Sequence, residues 1–123
     1  MKRILVVDDS STVREMVTFV LKDTKFELVE AEDGLEAFEI AKKKQFDLVI
    51  TDLNMPNMNG LELTEALRNL KGFRDIPILM LSTEADPLLK KQGKDLGLTG
   101  RVLKPLSPAR FKPAVERLLG VAS

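Results

Sequence analysis

The 123-residue chain contains no cysteine, histidine, tryptophan or tyrosine. Without cysteine there is no disulfide framework, thiol nucleophile or thiolate metal site. Without histidine, the commonest transition-metal ligand and general base are missing too. Any chemistry here must use carboxylates, lysines or hydroxyls. Net charge is also lacking: 19 basic and 19 acidic residues cancel, so charge points neither to a nucleic-acid partner nor to a membrane surface. The opening "MKRILVVDD" places only four apolar residues before two aspartates, far short of a signal peptide or a membrane span. A cytoplasmic protein is expected.

What is present is a regular alternation. The length predicts one domain over 1–123 with one core and no output domain. The closing "GVAS" reads as a short frayed end. Four apolar runs stand out, "ILVV" (4–7), "LVIT" (48–51), "ILML" (78–81) and the weaker "RVLK" (101–104), with "FELVEA" (26–31) as a fifth strand candidate. Between them, apolar residues recur every three or four positions, as one face of a helix requires. Val13, Met16, Val17, Val20 and Leu21 form one such face; Leu35, Phe38 and Ala41 a second; Leu63, Leu67 and Leu70 a third; Phe111, Val115, Leu118 and Leu119 a fourth. Pro87 to Leu96 is less regular and completes the set. Asp86-Pro87 and Ser107-Pro108 each put a capping side chain before a proline, whose missing amide costs nothing in a first helical turn. Five strands alternating with five helices predict an α/β fold with a five-stranded parallel sheet covered on both faces. In such sheets the ligand site lies beyond the carboxyl ends of the strands.

Those ends carry the chemistry. Asp8 and Asp9 follow the first strand, Asp52 ends the third, Ser82 the fourth and Lys104 the fifth. Each aspartate alone is accounted for as a turn former or helix cap. Three at one rim are harder to explain that way, because like charges about 4 Å apart repel by about 4 kcal/mol at an effective dielectric near 20. Something positive must sit among them, either Lys104 or a hard divalent cation. An all-oxygen pocket suits Mg²⁺ or Mn²⁺ better than zinc or copper. Phosphoryl transfer needs the same parts: a nucleophile, a cation on the moving oxygens, and fixed positive charge or hydroxyls for the remaining ones. A carboxylate attacking an activated phosphoryl donor needs no general base, so the missing histidine is no obstacle.

The stretches "ILVVDDSSTVR", "DLVITDLNMPNMNGLEL", "PILMLSTEADP" and "VLKPLSP", with 30 residues from Asp52 to Ser82 and 22 more to Lys104, resemble the receiver domains of bacterial two-component response regulators. The similarity spans essentially the whole chain and is strongest to the single-domain chemotaxis regulators. It implies a flavodoxin-like doubly wound (βα)5 fold and a switch phosphorylated on Asp52 by a histidine kinase. It further implies Asp8, Asp9, Asp52 and the Asn54 backbone carbonyl as ligands of Mg²⁺, with Mn²⁺ as a substitute. Ser82 would bond the phosphoryl group and draw its loop inward, Lys104 would pair with another phosphoryl oxygen, and Pro105 would follow a cis peptide bond. Such receivers also hydrolyse their own acyl phosphate slowly. The implied partners are the kinase and a downstream protein, either the flagellar motor switch or a phosphatase; a monomer is expected, with a phosphorylation-dependent dimer left open.

Several positions carry two readings. Arg101 stands where the family commonly has an aromatic that moves with the switch hydroxyl; it is either a switching cation or a surface residue. Lys90, Lys91 and Lys94 form a positive patch on the fourth helix that suits an acidic partner or is a solvated face. Leu96 and Leu98 fit the core or a partner surface, as do Met55 and Met58. Gly60 reads as a turn glycine chosen for its backbone freedom. Among rival functions, a flavodoxin-like electron carrier is opposed by the two carboxylates after the first strand and by the absence of Trp and Tyr to flank a flavin. An aspartyl phosphohydrolase usually has a second acid shortly after its nucleophile, where this chain has Leu53 and Asn54. A phosphate-relay receiver with a non-motor target and a non-phosphorylated binding module complete the alternatives.

Overall fold

The computed structural model describes residues 1–83 and 87–120, with side chains at all of these except 87–90. The strands are β1 (Arg3–Val7), β2 (Glu27–Ala31), β3 (Leu48–Asp52), β4 (Ile78–Ser82) and β5 (Gly100–Leu103). The helices are α1 (Ser11–Val20), α2 (Gly34–Lys43), α3 (Gly60–Arg68), α4 (Pro87–Asp95) and α5 (Pro108–Leu118). All strand pairs are parallel and the order is β2-β1-β3-β4-β5. This is the doubly wound (βα)5 architecture expected from the alternation. Right-handed crossovers on either side of β1 send the helices to opposite faces of the sheet.

The two faces have separate cores because successive strand side chains point to opposite sides. Ile4, Val6, Leu48, Ile50, Leu79 and Leu81 pack with Val17, Phe111 and Val115 of α1 and α5. Leu5, Val7, Val49 and Ile78 pack with Ala37, Ala41, Leu63 and Leu67 of α2 and α3. Burial on both faces is why β1, β3 and β4 read as unbroken apolar runs.

Differences from the sequence expectations are local. The second helix starts at Gly34, so its buried face is Gly34, Ala37 and Ala41, with Phe38 half-buried; Leu35, about 100° round the helix from Gly34, is 48% exposed. Met16 and Leu118 sit at the margins of their faces and are exposed. Ser107 precedes α5, but its hydroxyl makes no capping bond; its carbonyl instead accepts from the amides of Arg110 and Phe111. β5 ends one residue before Lys104, whose amide nevertheless donates to the Ser82 carbonyl at 2.9 Å. Leu98 packs against the α2–α3 core and Leu96 is half-buried. Met55 and Met58 pack on the same core. Asp86 and the terminal residues 121–123 lie outside the described residues.

Gly60 departs most from its expected reason. It opens α3 rather than occupying a left-handed turn; the glycines with positive φ among the described residues are Gly72, Gly97 and Gly120. A Cβ at Gly60 would lie 2.4 Å from the Asp52 carbonyl oxygen and 3.1 Å from Leu53 Cα. Close approach of two backbones, not torsional freedom, demands glycine here. Gly60→Ala is therefore expected to lower stability by about 2 kcal/mol, within the usual range for overpacking, measurable as a lower midpoint in urea unfolding. An unchanged midpoint would mean that α3 can move away from β3 at no cost.

On the other side of α3, Arg68 closes the lower loops. Its guanidinium donates to the carbonyls of Phe73, Ile76 and Gly97 at 2.6–3.0 Å. The loop after α4 is thereby tied to the loop before β4.

Candidate functional site

The order β2-β1-β3 reverses the direction of winding at β1, so a crevice opens beyond the carboxyl ends of β1 and β3. Asp8, Asp9 and Asp52 converge there. One carboxylate oxygen from each lies within 4.8 Å of the others. Asp8 and Asp52 are buried and Asp9 is exposed, so the cluster has two inner acids and one at its mouth.

Each acid is set by its element. The Asp8 amide extends the β1–β2 ladder by donating to the Ala31 carbonyl at 3.1 Å. One Asp8 side-chain oxygen accepts from the Ser10 amide at 2.9 Å, which brings in the residue that caps α1. Asp52 is the last residue of β3, in register with Leu81 of β4. The loop beyond it is closed by the Gly60 amide, which donates to the Leu53 carbonyl at 2.8 Å.

The positive charge is Lys104. Its Nζ lies 2.9 Å from Asp52 Oδ1 and 3.4 Å from Asp8 Oδ2. Burial pushes the Asp8 carboxyl above its ordinary value; the Ser10 amide pulls it back, the neighbouring Asp52 raises it again and Lys104 lowers it. For Lys104, burial alone would lower the pKa, but its hydrogen bond to Asp52 and the two carboxylate charges outweigh this and raise it. One ammonium therefore serves two inner carboxylates, leaving Asp9 to be compensated separately.

Ser82 ends β4, buried, beside Leu103 of β5. Asn54 is exposed in the loop two residues past Asp52. The Lys104-Pro105 peptide is cis. Arg101 is half-buried on β5, opposite Met80. It borders a groove of about 550 Å³ lined also by Leu103, Lys104, Pro105, Arg110 and Phe111. Lys91 and Lys94 are exposed on α4, away from the acidic cluster in sequence and element; the Lys90 side chain lies outside the described residues.

The donor set is all oxygen, with two carboxylates held in the crevice and a third at the mouth. That chemistry fits Mg²⁺ or Mn²⁺. Asp8, Asp9 and Asp52 are the groups that could hold the ion.

Residues 4–116 match the family model of the response regulator receiver domain. This chain belongs to that family. The receiver is 37% identical over 117 residues to chemotaxis protein CheY-3 of Vibrio cholerae serotype O1, covering 94% of this chain and 90% of that protein. It is 38% identical over 120 residues to chemotaxis protein CheY1 of Helicobacter pylori, covering 96% and 97%. The solved structure of Vibrio cholerae chemotaxis protein CheY4 superposes with a TM-score of 0.91 at 42% identity, covering 96% of this chain and 98% of that one. As a receiver domain, the chain is a phosphoacceptor switch of two-component signalling. Among the described residues, no helix is long and apolar enough to cross a membrane.

Three residues around this site had no signal in the sequence reading. Arg14 donates to the Asp8 carbonyl and pairs with Glu30 at 3.0 Å, bracing the end of β1 from α1. Asp33 and Asn57 meet across 24 residues of chain. A contact between polar side chains on two loops leaves no periodicity to detect.

Proposed function

We propose that this receiver takes a phosphoryl group from a phosphohistidine kinase onto Asp52 in a Mg²⁺-dependent reaction and so changes the surface it offers to a chemotaxis partner. The observation that carries the reading is the Lys104 ammonium shared between Asp52 and Asp8, with Asp9 beside them at the mouth. A carboxylate oxygen of Asp52 attacks phosphorus, the bond from phosphorus to the donor nitrogen breaks, and the donor leaves with that electron pair. A carboxylate nucleophile requires no base. Lys104, already within reach of Asp52, pairs with an oxygen of the transferred group, and the Ser82 hydroxyl at the end of β4 donates to another. A bound divalent cation supplies charge neutralisation to the phosphoryl oxygens. Water later cleaves the acyl phosphate and regenerates Asp52. Enzymatic activity in this sense is limited to the receiver's own phosphorylation and slow dephosphorylation.

The downstream partner is a flagellar motor switch or a phosphatase, and the setting is the cytoplasm. A second reading, a stand-alone receiver or relay with a non-motor target, is favoured by one feature: Arg101 puts a cation on the β5 groove where an aromatic would offer a ring.

The test is intact mass after incubation with acetyl phosphate, with and without Mg²⁺, followed by peptide mapping. A metal-dependent gain of one phosphoryl group on Asp52 is expected. Folded protein that gains none with acetyl phosphate or a histidine kinase would be a binding module instead. Asp9, exposed and outside the core, provides a separate check. Asp9→Ala is expected to weaken Mg²⁺ binding by at least about tenfold, as loss of a carboxylate should cost no less than loss of an outer contact, with the unfolding midpoint retained. An unchanged calorimetric titration would remove Asp9 from the ligand set.

A further inference from the structure

The loop from Leu53 to Asn59 carries the Asn54 backbone, and no helix or strand of its own fixes its shape. Its two ends are joined at the base by the bond from the Gly60 amide to the Leu53 carbonyl, and its middle is closed by one from the Met58 amide to the Pro56 carbonyl at 2.7 Å. Between these, Asn57 has a φ of 69°, the one positive φ at a non-glycine among the described residues. Asparagine tolerates this conformation better than most residues, and glycine would take it more easily still. What the asparagine adds is its side chain, whose Nδ2 donates to Asp33 Oδ2 at 3.1 Å.

Asp33 is a fixed acceptor. It is the N-cap of α2, and its other oxygen accepts from the Glu36 amide at 2.8 Å. The first turn of α2 also lies directly on the loop, since a Cβ at Gly34 would be 2.5 Å from the Met58 carbonyl oxygen. The loop is therefore held to β3 at its base and to α2 at its tip.

We propose that Asn57 and Asp33 are positioning residues for the cation set: their bond docks the loop on α2 and fixes the backbone at Asn54 relative to Asp8, Asp9 and Asp52. This inference rests on the reading of those four residues as cation ligands. The bond is charge-assisted, which makes it stronger than one between neutral groups. Contacts that orient metal ligands commonly change metal affinity by about 10–100-fold when lost.

The experiment is a calorimetric Mg²⁺ titration of the full chain as parent, Asn57→Asp and the exchanged double variant Asn57→Asp with Asp33→Asn. Asn57→Asp preserves side-chain size and tolerance of positive φ, but sets one carboxylate against another. About tenfold weaker Mg²⁺ binding is expected, at the low end of that range. The added negative charge by itself would strengthen cation binding, so weakening cannot come from charge alone. In the double variant the donor and acceptor trade places. The amide now at position 33 can donate to the carboxylate now at position 57 while its own oxygen still caps α2, and affinity should return to within about twofold of the parent. Unweakened binding in the single variant, or weakening that persists in the double, would overturn the proposal. If the parent itself binds no Mg²⁺, the cation reading fails, and amide exchange over residues 53–59 decides the docking separately. Faster exchange in Asn57→Asp, reversed in the double variant, is expected; unchanged exchange would refute it.

Discussion

Incubated with acetyl phosphate and Mg²⁺, Asp52→Asn is expected to gain no phosphoryl group, while the parent gains one. The substitution removes nucleophilicity without removing shape. An amide oxygen is far less electron-rich than a carboxylate, and no histidine, cysteine or tyrosine exists in the chain to replace it. Serine and threonine hydroxyls remain, but histidine, the usual general base for such groups, is missing. The fold should tolerate the change, because Lys104 retains Asp8 as a partner and the crevice loses one of its mutually repelling charges. An unfolding midpoint equal to or above that of the parent is expected alongside the absent mass gain. Phosphoryl incorporation at another mapped residue would move the acceptor away from β3.

The second large effect is expected at Lys104. Lys104→Ala leaves Asp8 and Asp52 facing each other in a crevice that excludes most water. Breaking a buried pair commonly costs about 3–5 kcal/mol. The Lys104 side chain is 21% exposed, and a discount for solvent brings the expectation to about 2 kcal/mol, or a midpoint about 7 °C lower. The dependence on pH carries a sign. Asp8 binds its proton more tightly in the folded chain than in the unfolded one, so its contribution to stability is fully present below pH 3.8 and fades as pH rises through the raised folded value. Without Lys104 the two influences of that lysine which lower the Asp8 pKa are gone, the folded value rises further, and the loss covers a wider span of pH. Lys104 itself contributes stability that is present below pH 10.5 and lost as pH passes its raised folded value. The gap between parent and variant should therefore be large at pH 7 and shrink toward pH 4. A gap independent of pH would mean that lost packing, not unpaired charge, causes it. The variant should still accept a phosphoryl group by mass but lose the phosphorylation-dependent change in partner affinity.

The central strands were the most legible part of the fold. In β3 and β4 every residue is buried, so the apolar run ends where the sheet ends, and Asp52 and Ser82 mark the rim without ambiguity. The edge strands were less so: β5 is only partly covered, and its sequence placed it one residue late. Leu35 fits the helical period by hydrophobicity, but the period carries no information on side-chain size. The second helix packs close through glycine and alanine, and the leucine beside them faces outward. Gly60 was recognised, but its reason depends on how near α3 runs to Asp52, which is a tertiary distance. The acids and Lys104 were legible because each lies at or just past the carboxyl end of a strand, and parallel topology then forces them together. Arg68 was invisible for the opposite reason. Its partners are backbone carbonyls, which every residue possesses.

With the carboxylates ionised, three aspartates against one ammonium leave this rim two negative charges in excess, although the chain as a whole is neutral. That local excess lies at the rim where, on the proposed function, an anionic phosphodonor would arrive. Fields of this kind alter encounter rates and weaken steeply with ionic strength. Two positive charges at the rim would cancel the excess, so a dication would act as an entry permit for the donor even before any bond to phosphorus changes.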